Sequence, residues 1–259
     1  MKKLRVFYSN INNFGDKITP FLLKKVFNLS FTLLNRRRMS RIGCSKDFLM
    51  GCGSLLSRNN LNNSYIWGTG MLKEVAVLKG KPKKIYAVRG TETRKIMLKN
   101  GIDCPENYCD PCYLLKKTHP KKIEKKYELG CIPHFVDERS EFISSLISKK
   151  VKIINVKGNI DKVIEETKSC KNIISSSLHG VILADTFNIP RLPIKISDKV
   201  WGGDFKFLDY GYSVNLGIPR FFVDKNTKIS QLLNQCKAVD IDIEERIKFL
   251  MVNFPNSLF

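Results

Sequence analysis

The chain alternates between two hydrophobic periods along most of its length. Short runs of continuous or alternating apolar residues read as strands. Longer runs with apolar positions three and four apart read as helices. Strands are expected at Leu4 to Tyr8, Asp47 to Met50, Tyr65 to Trp67 and Lys84 to Val88. A helix is expected from Thr19, with Thr19 as N-cap and Pro20 in the first turn, where its missing N–H costs nothing. A second helix over Thr91 to Asn100 should stop at Gly101. From Leu115 to Lys126 the pattern lapses into a Lys- and Pro-containing stretch that reads as a linker. It then restarts with strands at Leu129 to Pro133, Lys152 to Val156, Asn172 to Ser176 and Arg191 to Ile196. Helices at Glu138 to Ser148, Ile160 to Thr167 and Leu178 to Phe187 lie between them, and two more, Ile229 to Cys236 and Ile243 to Val252, close the chain.

Regular alternation of this kind specifies an α/β fold with parallel sheets covered on both faces. The chain has 259 residues, enough for two cores of ordinary size. The expected architecture is two Rossmann-like domains facing a cleft, over residues 1–122 and 123–228, with residues 229–259 forming helices that pack back on them.

Composition narrows the class. No run of ~18 apolar residues is present, so no spanning helix is expected. The first residues turn polar at Ser9 and Asn10, short of the about 7–15 apolar residues a secretory signal needs. A cytoplasmic protein is therefore expected, and its eight cysteines should be reduced and mostly packed as small apolar groups. Cys109-x-x-Cys112 has no second pair at ligand spacing, and Asp16, Asp110 and Asp137 are widely separated in sequence, so no metal and no cofactor is expected. The net charge of +21 admits a nucleic-acid binder, a protein drawn to an anionic membrane, or a solvated basic face. Its densest clusters are Arg36-Arg37-Arg38 and the lysines between 116 and 126. No recognised nucleic-acid module or aromatic-interleaved basic patch accompanies them, so no nucleic-acid partner is expected.

The candidate chemistry gathers at loops that follow strands. Asn13-Phe14-Gly15-Asp16, Gly51-Cys52-Gly53-Ser54 and Trp67-Gly68-Thr69-Gly70 each let backbone approach a ligand closely. None is a full dinucleotide or Walker fingerprint. Arg89, directly after a strand, and Arg94, in the next helix, carry the planar fork that suits carboxylate and phosphate. His134 ends the first strand of the second half. The densest signal is Ser175-Ser176-Ser177-Leu178-His179-Gly180, a strand running into a polar turn with a histidine at the mouth of a helix. That helix end favours anions, and the histidine is the natural proton carrier near neutral pH.

These motifs, with Asp110-Pro111, Ile132-Pro133-His134 and Asp204 to Tyr210, resemble in order and spacing those of the polysaccharide pyruvyl transferase family. The resemblance covers most of the chain. It implies a GT-B-like fold with the acceptor side in the first domain and the donor side in the second. It also implies transfer of pyruvate from phosphoenolpyruvate to two hydroxyls of a lipid- or nucleotide-linked saccharide, giving a cyclic ketal and phosphate in surface polysaccharide synthesis. On this reading His179 is the acid–base residue. Arg89, Arg94, Ser175, Ser176, Ser177, Gly180 and His134 serve the donor, and Asn13, Gly15, Asp16, Gly53, Gly68 and Gly70 form acceptor-side loops. The basic surface would attract an acidic acceptor or the anionic inner face of the membrane. Family members with an arginine immediately before the Leu-His pair would hold the donor with it, whereas Ser177 stands there in this chain. Either Arg89, Arg94, Arg191 or Lys195 supplies that contact or the donor differs. A nucleotide-sugar glycosyltransferase on the same scaffold is the rival within the fold, and a basic nucleic-acid binder is the rival outside it.

Overall fold

A computed structural model of the chain describes residues 3–35, 39 and 43–258. The Arg36-Arg37-Arg38 cluster lies outside the described residues. The first sheet is built from β1 (Leu4–Phe7), β2 (Phe31–Leu33), β3 (Phe48–Met50), β4 (Ser64–Trp67) and β5 (Lys84–Ala87), with α1 (Phe14–Lys25) crossing from β1 to β2 and α2 (Thr91–Lys99) following β5. A 3₁₀ turn, Pro111–Leu114, runs into the short helix α3 (Leu115–Thr118). The second sheet holds β6 (Tyr127–Ile132), β7 (Lys152–Ile153), β8 (Cys170–Ser175), β9 (Arg191–Lys195) and β10 (Phe221–Phe222). Helices α4 (Glu141–Ser148), α5 (Ile160–Lys168), α6 (Leu178–Thr186) and α7 (Phe205–Ser213) alternate with these strands, and α8 (Ile229–Gln235) and α9 (Ile243–Val252) follow.

Both sheets are parallel throughout and run in the same order. The first reads β2-β1-β3-β4-β5 and the second β7-β6-β8-β9-β10. This is the 2-1-3-4-5 arrangement of flavodoxin-type doubly wound sheets rather than the 3-2-1-4-5-6 order of dinucleotide-binding sheets. In each sheet the winding reverses between the first and third strands. The carboxyl ends on either side of that reversal splay apart and leave a crevice where open α/β sheets bind ligands. Those ends are Phe7 and Met50 in one sheet, and Ile132 and Ser175 in the other.

Several elements differ from the expected ones for identifiable reasons. Helix α1 starts five residues before Thr19, because the Asn13 side chain accepts from the Asp16 N–H and caps it there. Pro20 consequently sits inside the helix, and Thr19 is buried with its hydroxyl accepting from the Cys52 N–H. The expected linker is structured at its start. Leu114 and Leu115 are buried in the core, and Lys168 donates to the His119 carbonyl at 2.6 Å. Three elements carry no clean period in sequence: β2, β10 and the aromatic-rich α7.

One apolar cluster contains residues of both sheets and of the C-terminal helices, from Leu4 and Trp67 through Ile132 and Ile173 to Leu250 and Leu258. The Trp67 indole donates to the Leu250 carbonyl at 3.2 Å, and Phe254 stacks on Phe27 beside it. This ties α9 to the first sheet. Among the described residues no helix is long and apolar enough to cross a membrane.

Candidate functional site

The crevices of both sheets open into one cavity of about 820 Å³. The first sheet contributes Phe7 and Ser9 after β1, Asn13 and Asp16 at the head of α1, and Gly53 and Ser54 after β3. The second contributes His134 and Phe135 after β6, then Ser177, Leu178 and His179 after β8. Arg58, Lys199, Trp201 and Lys206 complete the wall. Trp201, between β9 and β10, is 64% exposed, and the guanidinium of Arg58, between β3 and β4, lies 5.4 Å from its ring centroid, so a loop of each sheet reaches the rim.

His179 is the second residue of α6, where the helix's unpaired N–H groups and positive end point outward. Its Nε2 lies 3.1 Å from the Cys52 Sγ, which itself lies 3.2 Å from the Asp110 Oδ1. The ring packs so closely on Gly15 that an added Cβ there would stand 2.2 Å from Nδ1. Glycine at this position is what lets the histidine reach the wall. Burial, with the positive charges of Arg89 and Lys206, pushes the His179 pKa down to about 3. The ring is therefore neutral at pH 7, unlike the solvent-poised histidine its sequence context suggests. Asp110 is fully buried and its pKa is raised by desolvation, while the Cys52 thiol is pushed far up for the same reason. These three side chains offer sulfur, nitrogen and oxygen atoms all within 4.8 Å of one another, a set whose chemistry would suit a zinc ion with an open position. In this structure they form a hydrogen-bonded triad.

His134 is held by its backbone. Its N–H donates to the Ser176 hydroxyl at 2.9 Å, and Ser176 in turn donates to Asp137 at 2.8 Å. Burial and the charges of Lys206 and Arg220 lower its pKa to about 4.

The family model described as polysaccharide pyruvyl transferase matches residues 3–198, which include both sets of cavity loops. The chain belongs to the polysaccharide pyruvyl transferase family. It is 31% identical over 209 residues to an uncharacterised protein of Acanthamoeba polyphaga mimivirus, covering 76% of this chain and 69% of that one. It is 22% identical over 245 residues to the succinoglycan biosynthesis protein ExoV of Rhizobium meliloti, covering 92% and 73%. Among solved structures, an uncharacterised protein of Klebsiella pneumoniae aligns with a TM-score of 0.47 at 12% identity, over 86% of this chain and 93% of that one. The wall teichoic acid polymerase TagF aligns with a TM-score of 0.36 at 13% identity, over 98% and 84%.

Within this polysaccharide pyruvyl transferase family chain, the residues expected from sequence divide into two groups. Asn13, Asp16, Gly53, Ser177, His134 and His179 line the cavity, and Gly15 backs His179. The others lie behind the wall. Ser175 donates to the Ile132 carbonyl, and Gly180 leaves room for the Ser175 hydroxyl and Ile132, so these residues shape the turn. Ser176 holds His134 and Asp137. Arg89 is fully buried: its Nε and Nη2 donate to Asp209 at 3.0 and 2.8 Å, and its Nη1 donates to the Ser54 hydroxyl. Gly70 leaves space for that guanidinium, and Gly68 packs against Pro111. Arg94 donates to the Cys104 carbonyl and lines a different cavity with Glu106 and Tyr108. Of the remaining cations named from sequence, Arg191 is paired with buried Asp185 and Lys195 with Asp198. The sequence reading missed Cys52 and Lys206 as side chains at the site. Lys206 stands within the Asp204 to Tyr210 stretch that carries part of the resemblance, but its charge alone does not distinguish it among 45 lysines and arginines.

Proposed function

We propose that this chain transfers pyruvate from phosphoenolpyruvate to two hydroxyls of a saccharide, forming a cyclic ketal and releasing phosphate, in the assembly of an exopolysaccharide or capsule. The observation that carries this reading is that both crevices open on one cavity, with His179 and several cations on its wall. Family membership supports the reaction class, and the name of ExoV supports the polymer context. On this reading the fold works as a GT-B-like pair. Residues 1–122 present the acceptor, residues 123–228 hold the donor, and residues 229–259 brace both. The exposed face of Trp201, at the rim beside Arg58 of the first half, offers a sugar ring an apolar platform. A net charge of +21 would draw a lipid-linked acceptor's anionic membrane to the protein.

The chemistry needs three proton movements. The methylene carbon of phosphoenolpyruvate gains a proton, which makes its C2 electrophilic. One hydroxyl attacks C2 and gives up its proton; the second then displaces phosphate from C2 and gives up its own. Neutral His179, on the cavity wall, is suited to take a hydroxyl proton. A bound donor adds negative charge that offsets Arg89 and Lys206 and raises the histidine's pKa, so His179 first delivers a proton to the methylene carbon and, neutral again, takes the proton of the attacking hydroxyl.

Thermal shifts with phosphoenolpyruvate, phosphate and nucleotide sugars test the donor. Stabilisation by phosphoenolpyruvate beyond phosphate is expected, and a response to nucleotide sugars alone would move the chain to the glycosyltransferases. Turnover in heavy water should leave one deuterium in the ketal methyl group. His179→Ala should lower turnover by about 10²–10⁴-fold while keeping the thermal shift with phosphoenolpyruvate.

A further inference from the structure

Every arginine or lysine that the sequence offered as a donor ligand is committed elsewhere. Arg89 is closed onto Asp209, Arg191 onto Asp185 and Lys195 onto Asp198, and Arg94 faces another cavity. Ser177, at the entrance to α6, brings no charge. Lys206 on α7 is different. Its residue is 7% exposed, its side chain lines the main cavity, and among the described residues no hydrogen bond or ion pair holds its ammonium group. The charged groups that bear on it are Arg89 and Arg220, which repel it, and Asp16 and Asp137, which attract it, and its Nζ lies 5.6 Å from the Phe207 ring centroid. The neighbouring cation Arg220 pairs with Asp204 through Nε at 2.5 Å, but its Nη1 is buried without a partner. A largely buried ammonium group held by no hydrogen bond or ion pair is costly, and a ligand anion offsets that cost.

We infer that Lys206 and the N-terminal turn of α6 form a phosphate subsite in the cavity, and that it receives the phosphate of the donor. Two features favour phosphate over carboxylate. A lysine is a compact point charge without the fork that matches a carboxylate, and helix N–H groups are a ready phosphate cradle. Helix α6 is nine residues long, and its first turn carries the cavity residues Leu178 and His179. The positive charge of Lys206 also reaches both histidines of the cavity, so the subsite sits where leaving phosphate and proton carrier must meet. The inference rests on phosphoenolpyruvate being the donor only for what carries the phosphate. The subsite itself is a claim about phosphate.

The test uses the full chain and two probes, inorganic phosphate and phosphoenolpyruvate, followed by calorimetry and thermal shift. Wild type should bind both. Lys206→Met should weaken both by roughly tenfold or more, the scale of a lost charged hydrogen bond. Lys206→Arg should recover most of the loss. The ligand-free methionine variant should melt no lower than wild type, since it removes an unpaired buried charge, and this separates lost binding from a lost fold. Equal phosphate binding by wild type and Lys206→Met would overturn the subsite, as would phosphate binding by neither. Phosphate binding that depends on Lys206, without any response to phosphoenolpyruvate beyond it, would keep the subsite and overturn the donor.

Discussion

Lys206 should leave a signature in the pH dependence of stability. Burial first, then Arg89 and Arg220, lower its pKa from 10.5 to about 7, while Asp16 and Asp137 act the other way. Between those values the unfolded chain holds a proton that the native chain has released. This group's contribution therefore makes stability rise with pH across that window, and its full penalty stands below pH 7. Chemical denaturation at about pH 6 and about pH 9 should show wild type gaining relative to Lys206→Met at the higher pH. Phosphate binding should weaken over the same rise, because it needs the charged form. At this scale the sequence disclosed positions better than roles. His179 and His134 stand out because the chain has three histidines and these two follow strands. Their depressed pKa values depend first on burial and then on Arg89, Lys206 and Arg220, and only folding supplies either. Arg89 shows the reverse: a cation placed after a strand looks like a ligand until Asp209, from a distant helix, is seen to cover it.

Helix α7 holds its place through that contact. Asp209 accepts from Arg89 Nε and Nη2 and from the backbone N–H and hydroxyl of Thr93, all within 2.6–3.0 Å and fully buried. The helix carrying Lys206 is thus fastened to the start of α2, which belongs to the other sheet. Asp209→Ala would strand a buried guanidinium and should cost about 3–5 kcal/mol, read by urea unfolding. It should also loosen Lys206 and weaken phosphate binding. The α/β alternation was legible because parallel strands buried on both faces read as continuous apolar runs, as Ile173-Ile174 does between the polar ends of β8. Helix α7 was legible only as a resemblance, since Phe205-Lys206-Phe207-Leu208-Asp209-Tyr210 mixes buried polar and apolar residues on its inner face. Its buried lysine and aspartate break the period: Lys206 lines the cavity, and Asp209 closes on buried Arg89.

At the scale of the whole molecule, the charge of +21 predicts adhesion to anionic vesicles that fades as salt rises. Flotation with and without acidic lipid checks this, and neutral vesicles should leave the protein behind. The paired layout of sheets was readable from alternation alone, whereas the strand order was not, because order depends on which edge each crossover returns to. That order repeats in the two sheets, so two equivalent notches meet at one cavity. One notch is written by residues 9–16 and 51–54, the other by residues 132–137 and 175–179. Selection can therefore rewrite one loop set while the other keeps its chemistry. On the proposed split of acceptor and donor between the two loop sets, a lineage can change the sugar without relearning how to handle the transferred group, and chimaeras exchanging a single loop set are the natural units for redesign.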